Sequence, residues 1–380
     1  VPAPESLGVQ KPFFAGETPI KMKLLEPLTL GPLTLKNRVV MAPMTRSRAH
    51  HEGQPTALHE TYYSQRAGAG LIISEGINIS EQAIGSPFTP GLYTATQIER
   101  WRAVTDAVHA RGGLIFAQLW HTGRVGHSSV RGGALPVAPS AIAIQGQKHF
   151  TPTGPQEYET PAALSTEEVR QVVLDYRKAA ENARTAGFDG VELHGAFGYL
   201  PNQFLVDGSN TRSDEYGGSV GNRCKFVLDV MKGLVEVFGA SRVGIKCSPV
   251  IPYNSMIDSD PLALYTHLIN QLNELPLAYV HLMEALFPID AFAHWPKDVL
   301  GTFGPMVRAP LMINGGYTRE RAEAVLERKA ASLVSFGKPF IANPDLVRRF
   351  ELGAELAQPD QASIYGGDAK GFVDYPPLAL

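Results

Sequence analysis

Lys246 lies inside a short β-rich run, Val243 to Cys247, where a buried cation is costly unless a partner meets it. Other polar residues stand where similar runs end: Thr45, Gln118, His121 and His194. Gly315-Gly316 and Gly337-Lys338 follow two further runs, and glycines there would let backbone N–H groups come close to an anion. A histidine at a strand end can donate a hydrogen bond to a developing oxyanion, which is what His194 is placed to do. Each residue also has a plain structural reading. A lone histidine is more often structural, a glycine pair is usually a turn, and Tyr199 or Phe197 alone is a packed aromatic. Their shared placement at strand ends is what makes them a candidate site.

The elements that must position them are short apolar runs alternating with amphipathic segments, the pattern of a parallel sheet covered by helices. Eight runs can be counted: Val39 to Ala42, Gly70 to Glu75, Leu114 to Trp120, Gly190 to Leu193, Val243 to Cys247, Tyr279 to Met283, Pro310 to Ile313 and Leu333 to Phe336. Eight is the number that closes a (β/α)8 barrel, whose chemistry sits at the C-terminal ends of the strands. Ser165 and Glu168 form a capping box that opens a helix. Val169, Val172, Val173, Tyr176, Ala180 and Ala183 give that helix its buried face, and Gly187 ends it. Asn343-Pro344 reads as the N-cap and first turn of the last main helix. Thr122 to Leu164 interrupts the repeat after the third strand and is expected to cross the barrel mouth.

The chain has 380 residues, 44% hydrophobic and 19% charged, with a net charge of -3, so it can bury a large core and has no basic excess for nucleic acid. Its two cysteines, Cys224 and Cys247, lack the number of a disulfide framework and the spacing of a metal site, so no metal is expected and a reducing, cytoplasmic setting fits. No apolar run reaches the roughly 18 residues of a membrane span. Residues 1–21 read as an N-terminal extension without the apolar stretch of a signal peptide, and residues 22–380 as one barrel domain, a monomer or homodimer.

Specific motifs sharpen this. Val191 to Leu200 reads Val-Glu-Leu-His-Gly-Ala-Phe-Gly-Tyr-Leu, followed by Asn202-Gln203-Phe204 and by Arg212 to Ser219. Together with Met41 to Arg46, Gln118 to Arg124 and Ile341 to Leu346, it resembles the old yellow enzyme family over nearly the whole chain. The resemblance implies an FMN at the barrel mouth, reduced by NADPH or NADH, that in turn reduces an activated C=C bond of a small enone, enal or nitro compound. It places Tyr199 as the proton donor to the α-carbon and His194 on the substrate's carbonyl oxygen. Ala42, Pro43, Met44, Thr45, Gly76, Gln118 and Lys246 then contact the flavin, Gly315, Gly316, Gly337 and Lys338 its phosphate, and Trp120, Phe197 and Tyr365 the substrate. No separate dinucleotide fingerprint is found, so nicotinamide and substrate are expected to take turns on one flavin face.

The sequence departs from the family pattern at several of these positions. Phe197 stands where the family usually has a second donor, His or Asn, a loss worth on the order of 10² to 10³ in turnover. Lys246 and Lys338 replace arginines and keep the charge without the forked contact. Ser86 stands where many relatives carry a pocket tyrosine. These departures leave a second reading open, a flavin- or ligand-binding protein with decayed or altered catalysis.

Overall fold

Each of the eight apolar runs forms a strand in the computed structural model, which describes residues 22–379. The strands are β1 Val39–Met41, β2 Leu71–Asn78, β3 Ile115–Trp120, β4 Gly190–Gly195, β5 Val243–Cys247, β6 Tyr279–Met283, β7 Leu311–Asn314 and β8 Leu333–Phe336. They pair in parallel with their sequence neighbours, and β8 pairs with β1, so the sheet closes. Helices α1 Ala57–Gln65, α2 Ala95–His109, α3 Thr166–Thr185, α4 Val220–Phe238, α5 Pro261–Leu272, α6 Val299–Phe303, α7 Arg319–Glu327 and α8 Leu346–Leu352 follow the strands in turn. This is the expected (β/α)8 barrel. The expected extension, residues 1–21, lies outside the described residues, and no described helix is long and apolar enough to cross a membrane.

Local chemistry explains the best-marked helix. Ser165 Oγ accepts the Glu168 N–H at 3.2 Å, and Glu168 returns a carboxylate oxygen to the Ser165 N–H at 2.7 Å. At the other end Gly187 takes φ +87°. There the Phe188 N–H reaches Ala183 O and the Gly187 N–H reaches Arg184 O, which satisfies carbonyls the helix leaves open.

The last helix differs from expectation. It begins at Leu346, with Asp345 at the cap position, because a short helix Lys338–Ala342 forms first. The Asn343 amide is used elsewhere: it donates to Ala357 O at 3.0 Å and accepts the Ala357 N–H at 2.9 Å, clasping the chain beyond α8.

The sheet separates two apolar regions. The larger lies between strands and helices, and the smaller lies inside the barrel at the strand starts. There Val40, Leu71, Ile73, Phe116, Tyr279, Met312 and Leu333 meet Leu30, Leu33 and Leu35 of the antiparallel hairpin Leu28–Leu30/Leu33–Leu35. The hairpin caps this end of the barrel. Gly190 and Gly244 make room in this layer, since a Cβ on either would come within 2.4 Å of the Phe116 or Tyr279 ring.

At the opposite end, the Thr122–Leu164 excursion carries the hairpin Lys148–Thr151/Gly154–Glu157. His149 Nε2 bonds Gly85 O at 2.6 Å after β2, and the Arg124 guanidinium donates to Asn254 O at 3.0 Å after β5. The excursion is thereby tied to loops at the barrel mouth.

Candidate active site

Above the apolar layer the barrel interior turns polar. Gln118 of β3 donates through Nε2 to Glu192 of β4 at 2.8 Å, and the other Glu192 oxygen meets His281 Nδ1 of β6 at 2.9 Å. His281 Nε2 lies 2.8 Å from Ser335 Oγ of β8, and Asn314 of β7 donates to both Ser335 Oγ and Ser335 O. Lys246 of β5 is buried beside this layer, paired in register with His194 on one side and His281 on the other. No hydrogen bond from its ammonium is found among the described residues.

The outermost layer holds the aromatic cluster. His194 is the last but one residue of β4, and the chain then turns through Phe197 and Gly198, both left-handed at φ +58° and +79°. Tyr199 is the N-cap of the helix Leu200–Leu205, which has proline in its first turn. The turn is over-determined. The Phe197 N–H donates to Ser248 Oγ at 2.9 Å, Phe197 O accepts from the Asn254 amide at 2.8 Å, and the Gly198 N–H donates to Asn202 Oδ1 at 2.9 Å. A Cβ on Gly198 would stand 2.7 Å from that of Asn254, so glycine is required there.

The rings of His194 and Tyr199 are 4.7 Å apart, edge to face, and Trp120 meets Tyr199 at 5.0 Å. Phe197 is 6.5 Å from His194, and its ring faces the Lys246 ammonium. Burial, reinforced by Lys246 and His281, holds the His194 imidazole well below its ordinary range, so it is neutral. Burial raises the Tyr199 phenol, which keeps its proton. Burial also pulls Lys246 down to about 8, partly offset by Glu192.

The remaining candidates surround this cluster. Gly76 sits in β2 against the Trp120 ring, where a Cβ would come within 2.7 Å. The Ala42 N–H bonds Phe336 O at 3.0 Å, bringing the loop of Ala42, Pro43, Met44 and Thr45 to the end of β8 beside Gly337. Gly315 takes φ +137°, and a Cβ there would strike Glu284, so packing alone demands glycine. Gly316 opens onto free space. Lys338 is exposed, and Tyr365 stands at the rim, 68% exposed.

Glu192, His281 and Ser335 were not singled out from sequence. The available signal was register: Glu192 precedes His194 by two residues in one strand, so both face inward, and a carboxylate there needs partners. By contrast Glu75 proves structural, accepting from Tyr63 OH at 3.2 Å on the helix side of the sheet. His121 is likewise buried and accepts the Gly123 N–H at 3.0 Å. Burial raises both cysteine thiols, which makes them poor nucleophiles.

The mouth therefore offers a buried cation with no hydrogen bond among the described residues, orphaned polar atoms at His194 Nδ1 and Trp120 Nε1, and Gly316 open to an anion. These fit a flavin nucleotide. A profile of the NADH:flavin oxidoreductase / NADH oxidase family matches residues 23–357. The chain belongs to the old yellow enzyme family. The 12-oxophytodienoate reductase 1 of Oryza sativa subsp. japonica is 43% identical over 359 residues, 93% of this chain and 92% of that one. A solved morphinone reductase is 44% identical, with TM-score 0.89 over 95% of this chain and 98% of that one. An old yellow enzyme homologue from Zymomonas mobilis is 41% identical, with TM-score 0.90 over 94% and 100%. This old yellow enzyme is accordingly an FMN-dependent NAD(P)H oxidoreductase acting on activated C=C bonds, and the relatives lend no support to decayed catalysis.

Proposed function

We propose that the enzyme reduces small α,β-unsaturated carbonyl or nitro compounds through His194 and Tyr199. The observation that carries this reading is the 4.7 Å pairing of the two rings at the mouth, with Trp120 against Tyr199 and Lys246 buried behind. When bound, FMN would supply the hydride chemistry, with reducing equivalents from NAD(P)H. His194, neutral and desolvated, donates a hydrogen bond to the substrate oxygen on which charge develops. Tyr199, held protonated, gives its proton to the α-carbon and regains one from water. Trp120, Phe197 and Tyr365 bound the substrate space.

On the cofactor side, Thr45, Gln118 and Lys246 would hold the flavin ring, with the backbone of Ala42, Pro43, Met44 and Gly76. Gly315, Gly316, Gly337 and Lys338 would hold its phosphate. Because Phe197 contributes a ring in place of a donor, the site favours acceptors that need one strong hydrogen bond and a larger apolar contact. The two buried thiols suit a reducing, cytoplasmic setting.

The test is spectroscopic. Pure holoenzyme should be yellow, bleach on anaerobic NADPH and recover its colour on cyclohexenone or maleimide. Bleaching without recovery by any activated alkene would refute the reductase reading.

A further inference from the structure

Five side chains from five strands, all buried but the half-buried Asn314, form one chain across the barrel: Gln118, Glu192, His281, Ser335 and Asn314. Its proton positions can be derived. The Asn314 amide nitrogen is fixed by its bond to the Ser335 carbonyl, which only accepts, so the same NH2 also donates to Ser335 Oγ. That leaves the Ser335 hydroxyl proton for His281 Nε2. The imidazole is neutral, since burial holds it below its ordinary range. Its one proton is therefore on Nδ1, facing the Glu192 carboxylate. The other Glu192 oxygen accepts from Gln118 Nε2, and this turns Gln118 Oε1 away, as an acceptor.

We propose that Glu192 is a positioning residue for the flavin site, presenting Gln118 Oε1 to the flavin imide N–H and serving as counter-charge to the Lys246 ammonium. In this role it acts through Gln118 and Lys246. The inference rests on the reading that Gln118 and Lys246 face the flavin. The titratable groups around Lys246 are Glu192 and His194 of β4 and His281 of β6, and both histidines are neutral. Among the described residues Glu192 is thus the one anion that raises the lysine's proton affinity. An arginine at this position would need no such support.

The experiment is FMN binding to apoprotein, followed by quenching of flavin fluorescence across neutral to alkaline pH, with folding checked by urea melts. Wild-type affinity should fall as pH rises through about 8, where Lys246 loses its proton. Glu192→Gln frees the Gln118 amide to turn and removes the counter-charge. It should weaken binding about tenfold at neutral pH, the scale of one hydrogen bond to a charged group, and move the fall to lower pH. Adding Lys246→Arg to that variant should flatten the profile, which assigns the fall to the lysine; the shift of the fall in Glu192→Gln alone is what a merely structural role for Glu192 would not produce. If Glu192→Gln does not fold, Ser335→Ala, which breaks the far end of the chain, should shift the fall in the same direction by less. A wild-type affinity and pH profile in the folded Glu192→Gln protein, or in Ser335→Ala where that variant stands in, would overturn the proposal. Gln118→Ala and Lys246→Met separate the two readings. If neither weakens FMN binding, the flavin-facing assignment fails; if both do and Glu192→Gln does not, only the role of Glu192 fails.

Discussion

The Lys246 ammonium stands over the Phe197 ring, 5.6 Å from its centroid. A cation–π contact of this kind is worth about 0.5–2 kcal/mol when desolvated, and it gives the phenylalanine a partner in a backbone conformation that phenylalanine disfavours. Asparagine tolerates the left-handed region far better. Phe197→Asn should therefore relieve about 1 kcal/mol of backbone strain and add a donor beside His194. Turnover of a cyclic enone should rise tenfold or more, up to the roughly 10² to 10³ that one oxyanion donor supplies. Unchanged steady-state rates would show that the ring does not stand in for a lost donor.

Tyr199→Phe should leave flavin reduction by NADPH near the wild-type rate and slow reoxidation by an enone by about 10² or more, the usual worth of a positioned acid. Stopped-flow measurement of the two half-reactions separates them. Equal slowing of both would assign Tyr199 to binding alone.

His194 is neutral throughout the usual assay range, so its hydrogen bond should not titrate near its ordinary value. A phenol-type ligand should compete with both NADPH and enone. His194→Ala should weaken that ligand by about 10- to 100-fold, the worth of a charge-assisted hydrogen bond, as read by the long-wavelength flavin band. Competition against only one of the two substrates would contradict a shared face.

The Arg212–Asp214 pair governs stability, not chemistry. Arg212 donates to Asp214 at 2.5 and 3.0 Å, and its guanidinium also reaches Pro139 O midway along the excursion and Leu164 O at its end. Asp214 further accepts from the Thr166 hydroxyl at the start of α3. The arginine's hydrogen bonds hold the Asp214 carboxyl well below the usual carboxylate range. A depressed folded-state pKa means that this stabilisation is complete above about pH 4 and is lost as pH falls further. Asp214→Asn should cost about 1–2 kcal/mol at neutral pH and flatten the acid limb of the melting profile. An unaltered acid limb would count against the pair.

Much of this was legible in the sequence because period and punctuation agree. Eight apolar runs became the eight strands within a residue or so at most ends, and the Ser165 box and Gly187 bounded α3 as their chemistry requires. β2 departs most, running on to Asn78 past an irregularity between Ile73 and Gly76, and β4 runs two residues further than expected, to Gly195. Asn343 misled because Asn-Pro signals a cap only when its amide is not claimed across the fold. The polar chain beneath the mouth was missed for a different reason. Glu192 and His281 lie far apart in sequence and acquire meaning only when closure brings β4 and β6 to a common interior.

That chain also bears on how the molecule folds. Glu192 is buried and takes its bonds from β3 and β6, while His281 depends in turn on β8. Any half-barrel intermediate holding only four successive strands from β1 would bury a carboxylate with half its partners absent, or else leave it hydrated and the sheet unclosed. In the first case the carboxylate carries a desolvation cost that only the closed ring offsets, and in the second the interior stays open to water. Assembly should therefore proceed in one cooperative closure, and isolated halves of this barrel should be poor folding units.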